Sequence, residues 1–96
     1  MTGPPRDYVT TGAWPEGRVT RSAPVAVRYA QEITRRITAA SAGWTQTALA
    51  EQAGLARSTL HDIVTGRTWP DVVTLAKLEA VLQVKLWPEE LPPAAR

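Results

Sequence analysis

Apolar residues recur at spacings of three and four along four stretches of the chain. That is the period of a helix with one buried stripe. Over residues 24–42 the stripe is Ala26, Ala30, Ile33, Ile37 and Ala40, with Arg28, Arg35 and Arg36 off it. Ser22 is placed to cap this helix, Pro24 is tolerated in its first turn, and Gly43 is expected to end it. A second helix is predicted over Gln46–Ala53, capped by Thr45, burying Leu49, Ala50 and Ala53, and stopped by Gly54. Leu55 plugs the turn. A third helix, residues 57–65, buries Leu60, Ile63 and Val64 and stops at Gly66. Its cap position holds Ala56, a poor cap that forgoes about 1 kcal/mol. After a loop at residues 67–70, Asp71 caps a fourth helix to about Leu82, with Val72, Leu75, Leu78, Val81 and Leu82 facing inward. Val84, Leu86 and Trp87 are expected to close the core. Pro88, Pro92 and Pro93 exclude a long final helix, and residues 89–96 are expected to be a flexible tail.

Residues 1–22 show no helical period. Tyr8 to Thr11 and Arg18 to Arg21 have strand-like composition, and Pro15-Glu16-Gly17 between them is a turn signal. The expectation is an N-terminal arm or small β-hairpin. An isolated two-stranded hairpin is marginal in water. It must dock on the helices, pair with another subunit, or be disordered. Trp14 is the expected docking residue.

The centre of the chain has the most specific spacing. Two short helices joined by a three-residue turn meet at a steep angle. The first then needs a small residue at the crossing, supplied by Ala50. The turn needs a positive φ, supplied by Gly54. The second helix needs apolar residues pointing back, supplied by Leu60 and Ile63. On a helical wheel Arg57, Ser58, His61 and Asp62 share the opposite, polar face.

Thr45-Gln46-x-x-Leu49-Ala50-x-x-Ala53-Gly54-Leu55, followed by Arg57-Ser58-Thr59-Leu60-x-x-Ile63-x-x-Gly66-Arg67, resembles the helix-turn-helix of the lambda-repressor/Cro-like (XRE-type) DNA-binding domains. Trp69-Pro70 followed by Leu75-Ala76-x-Leu78 is similar to that family's fourth-helix pattern. The resemblance covers about residues 24–87. Three features depart from it. Leu60 stands where a β-branched residue is commoner, Gln83 replaces the usual glycine after the fourth helix, and residues 1–22 have no counterpart.

The resemblance implies an all-α, four-to-five-helix domain at residues 23–88 that lays its third helix in the major groove of double-stranded DNA. Base-contacting positions would then be Arg57, Ser58, Thr59, His61 and Asp62. Arg57 is suited to guanine O6 and N7, and Asp62 to cytosine N4. Asp62 can instead orient Arg57 or His61. Phosphate-contacting positions would be Thr45, Gln46, Thr47, Arg67 and Thr68, which position without specifying sequence. Gln46 would also brace the third helix. One recognition helix spans few base pairs, so a homodimer on a palindromic site is expected, with half-sites about 34 Å apart. Its surface would be residues 84–87 or the hairpin. The implied role is a transcriptional regulator, read as a repressor. The alternative is a protein-interaction module, such as an antitoxin, for which DNA binding is secondary.

Composition narrows the remaining classes. Ninety-six residues make one small domain, marginal on its own core. There is no Cys and one His, so disulfides, thiolate metal sites and His-pair metal sites are excluded. An enzyme is not expected, and no cofactor is implied. No apolar run reaches the roughly 18 residues of a membrane span, and no signal peptide is seen, so a cytoplasmic location is expected. The net charge of +2 is uneven. Residues 18–36 hold five Arg and one Glu, against six basic and eight acidic residues elsewhere. This strip is either a solvated helix face or a phosphate-facing surface. The four Trp are read as core and docking residues, with Trp44 and Trp69 wedging the motif against the first and fourth helices.

Overall fold

The computed structural model describes residues 3–91. Four helices follow one another: α1 (Val25–Ala40), α2 (Gln46–Ala53), α3 (Arg57–Val64) and α4 (Val72–Leu82). Ahead of them come a 3-10 turn at Pro5–Tyr8 and two short antiparallel strands, β1 (Val9–Thr11) and β2 (Arg18–Val19). Val9 pairs with Val19 and Thr11 with Arg18, with a bulge between. The all-α class with a small N-terminal hairpin is therefore the observed architecture.

The core lies where all four helices meet. Ile33 and Ile37 of α1 pack with Leu49, Ala50 and Ala53 of α2, Leu60 and Ile63 of α3, and Leu75 and Leu78 of α4. Leu86, fully buried beyond α4, closes it. Each such leucine or isoleucine contributes about 1.5–3 kcal/mol through removal from water. The α2–α3 crossing forms as the spacing requires: Gly54 takes φ +69 and ψ 36, and its N–H bonds the Ala50 and Glu51 carbonyls. Thr45 Oγ1 accepts the Ala48 N–H at 3.0 Å, and Asp71 accepts the Thr74 N–H at 2.8 Å. Ala56 makes no side-chain cap.

Several boundaries differ from the pattern-based expectation. Ser22 does not cap α1; Pro24 occupies the N-cap position, without a side-chain bond. The helix ends at Ala40, with Ser41 as C-cap, and Gly43 sits in the following turn at φ +91. Val72, Val84 and Trp87 are 72%, 41% and 48% exposed, so none belongs to the core. Trp44 is also exposed, at the rim of a shallow cleft with Ile37, Leu49 and Val64. It does not act as a wedge.

Gln83 stands in for the missing glycine. It adopts φ +58, so α4 ends in a left-handed C-cap despite the side chain. That conformation costs a non-glycine residue about 1–2 kcal/mol. Its amide donates to the Ala80 carbonyl at 2.6 Å. One turn earlier, the Glu79 carboxylate accepts the N–H groups of Leu86 (2.7 Å) and Trp87 (3.2 Å). These bonds, Leu86 first, hold the Glu79 pKa below the ordinary glutamate value. They anchor the chain as it turns back after α4, and Trp87 stacks on Tyr29 of α1 at 5.9 Å.

The arm docks. Gln31 is buried on α1 and donates to the carbonyls of Pro15 (2.9 Å) and Gly17 (2.8 Å). Arg35 pairs with Glu16 at 3.1 Å. On the other side, the Arg6 N–H bonds the Gly66 carbonyl at 3.0 Å, and Trp69 Nε1 donates to the Gly3 carbonyl at 3.1 Å. The ring of Trp14 lies against Gly66, where an added Cβ would come within 2.7 Å of it. The Trp14 Nε1–H is buried and finds no acceptor among the described residues. This second packing surface explains why Gln31 of α1 is buried although it lies off the apolar stripe. Residues 92–96, most of the expected tail, lie outside the described residues.

Candidate nucleic-acid interface

The polar face of α3 is accessible. Arg57 and Ser58, in its first turn, are exposed, while Thr59, His61 and Asp62 are half-buried. Leu60 and Ile63 anchor the opposite side in the core, so the rotation of the helix is fixed by packing. A hydrogen bond from Thr34 Oγ1 on α1 to the Ile63 carbonyl, at 3.4 Å, adds a polar tie.

The amino end of α2 lies beside this face. Gln46 Oε1 and His61 Nδ1 are 3.2 Å apart. An amide oxygen only accepts, so the imidazole donates from Nδ1. His61 Nε2 and the Gln46 NH₂ are thereby left as the groups available to an incoming ligand. Thr47 is exposed. The Thr45 hydroxyl oxygen is engaged as the α2 cap, which leaves its proton to donate outward. At the far end of α3, Thr65 Oγ1 donates to the His61 carbonyl at 2.7 Å. The Asp62 carbonyl accepts from the N–H groups of Arg67 (2.9 Å) and Thr68 (3.3 Å). These bonds fold the loop back under the helix and leave the Arg67 and Thr68 side chains exposed.

The basic strip at residues 18–36 has a different job for two of its members. Arg35 bonds Glu16, Glu32 and the Pro15 carbonyl. Arg36 bonds Glu32 at 3.0 Å. Their charges are neutralised locally, and Arg35 joins the arm to α1. Charge pattern alone did not reveal this, because Glu16 lies 19 residues from Arg35. A basic residue that the sequence pattern passed over, Arg6, lies instead against Gly66, directly before Arg67. No local motif marks it. No helix among the described residues is long and apolar enough to cross a membrane.

Residues 36–86 match the helix-turn-helix family HTH_3. The complex of SinR with SinI is similar, at TM-score 0.51 and 37% identity, covering 56% of this chain and 55% of that one. SinR, master regulator for biofilm formation, in complex with DNA is similar at the same TM-score and identity, covering 56% of this chain and 90% of that one. The restriction-modification controller protein C.AhdI from Aeromonas hydrophila follows at TM-score 0.50 and 28% identity, covering 64% of this chain and 89% of that one. The chain thus spans about half the length of the SinR chain in the SinI complex. No curated protein sequence matches it.

Proposed function

The chain belongs to the helix-turn-helix family HTH_3, and we propose that it is a sequence-specific DNA-binding transcriptional regulator acting as a repressor in the cytoplasm. The observation that carries this reading is the SinR–DNA complex, whose protein is 37% identical over the matched part of this chain. In the proposed mode α3 enters the major groove amino end first. Arg57, Ser58, Thr59, His61 and Asp62 read base edges there. Arg57 takes a guanine bidentately, and the pairing of His61 with Gln46 holds the imidazole in one orientation as it enters. Thr45, Gln46, Thr47, Arg67 and Thr68 bind the phosphates on either side.

A single helix reads too few base pairs for a unique site, so the protein acts as a homodimer on a palindrome. Val84 and Trp87, 41% and 48% exposed after α4, supply its contact surface. Selection of bound sequences from a random duplex pool tests the reading. A recovered palindrome with half-sites about 34 Å apart is expected; a pool that stays random removes sequence-specific binding.

The SinR–SinI complex favours a second reading, in which a protein partner is the principal ligand and DNA is secondary. The slope of log affinity against log salt separates the two. A slope near zero leaves no phosphate contribution and removes the DNA reading.

A further inference from the structure

The arm brings a second arginine to the end of α3. Arg6 Cβ lies 2.9 Å from where a Cβ on Gly66 would stand, and Arg6 N–H bonds the Gly66 carbonyl at 3.0 Å. Arg67 is the next residue. Both side chains are exposed. Neither forms an ion pair among the described residues. The nearby carboxylates are directed elsewhere or left unpaired. Asp7 lies against Gly3, Glu16 is held by Arg35, and Asp62 makes no bridge to either arginine. Both guanidinium groups are therefore available to a polyanion.

We propose that Arg6 and Arg67, joined at Gly66, form a two-guanidinium clamp on the DNA phosphate backbone beyond the carboxyl end of α3. The arm is then a working part of the DNA interface. This rests on the DNA-binding reading above and extends it to a residue outside the helix-turn-helix. The backbone that carries Arg6 is preorganised. Arg6 is held by its own backbone bond, by the Trp14 ring packed on the same glycine, and by the Trp69 bond to Gly3. Little arm entropy is therefore lost on binding.

The test is duplex affinity measured between 50 and 200 mM salt on wild type, Arg6→Gln, Arg6→Lys and Arg67→Gln, using a random-sequence duplex and a selected one. Each phosphate contact contributes a slope of about −0.9, so over this fourfold salt range the wild-type affinity falls about 3.5-fold more than that of Arg6→Gln. The loss at low salt is equal on both duplexes, and Arg6→Lys restores the slope. Arg6→Gln keeps the backbone bond to Gly66, and an unchanged thermal midpoint confirms that the arm stays docked. If Arg67→Gln flattens the slope and Arg6→Gln does not, the clamp is refuted while DNA binding stands. If wild type itself shows no slope, the DNA reading fails and takes the clamp with it.

Discussion

Alanine at Gly66, compared with alanine at Gly54, measures how firmly the arm is held. The two glycines have nearly the same backbone, φ +73 and φ +69. Forcing an L-residue into the left-handed region costs about 1–2 kcal/mol at either. The surroundings differ. Around Gly54 an added Cβ meets nothing within 4 Å. At Gly66 it meets Trp14 Cδ2 at 2.7 Å, Cε2 at 2.8 Å and Arg6 Cβ at 2.9 Å. Carbon atoms prefer about 3.5–4.0 Å, so the indole must retreat by most of an ångström. It is a rigid ring, and the chain just beyond it is tied to Gln31 through the Pro15 and Gly17 carbonyls. Overpacking of this kind costs about 1–3 kcal/mol. Gly54→Ala should therefore lose about 1–2 kcal/mol and Gly66→Ala about 2–5. The upper end is limited by the docking free energy, because the arm can detach. Urea denaturation reads the difference directly; in thermal melts each kcal/mol is about 4–8 °C for a domain this size. Equal losses at the two sites would refute the packing of Trp14 on Gly66, and with it the rigid support claimed for Arg6.

Other perturbations test separate parts of the structure. Glu79→Gln should cost about 1–2 kcal/mol, because the charged acceptor of the Leu86 and Trp87 amides is lost. Since those bonds lower the Glu79 pKa on folding, its contribution is complete above the ordinary glutamate value and disappears as pH falls through the lowered one. The variant's stability should lack that acid-side decline in a pH series of denaturation curves. Gln83→Gly should stabilise the chain by roughly 1 kcal/mol, relieving the left-handed side chain; a loss in the same denaturation assay would mean that the bond to Ala80 outweighs the strain. Arg57→Ala should relax base preference at one position and cost about 1–3 kcal/mol on the selected duplex. Unchanged preference in a repeat of the pool selection would show that α3 is rotated differently on DNA.

The helix-turn-helix was legible in the sequence because its determinants are local. Gly54, Ala50, the Thr45 and Asp71 caps and the 3.6-residue periods all act within a few positions. The arm was only partly legible. Its turn and Trp14 were visible, but its docking depends on partners such as Gly66 and Trp69, up to 66 residues away. That distance also hid the burial of Gln31 and the pairing of Arg35 with Glu16. Val72 and Trp44 misled for the opposite reason. Val72 fits the apolar stripe of α4 and Trp44 flanks the motif, yet the fold leaves 72% and 40% of their surfaces exposed. At the interface, the exposure of Arg57 and Ser58 followed from the wheel. Arg6 did not, since only the fold brings it beside Arg67.

The tie between Gly3 and Trp69 also imposes an order of assembly. The arm is synthesised before every residue of its dock on the α3–α4 loop. Contacts within α2 and α3 close over short stretches of chain, whereas this one must close a loop of more than 60 residues, a slow and entropically costly event. On the ribosome, Trp14 remains without its seat until Gly66 and Trp69 have emerged. A chain cut short before that point has only the α1 half of the arm's dock, the Gln31 and Arg35 contacts.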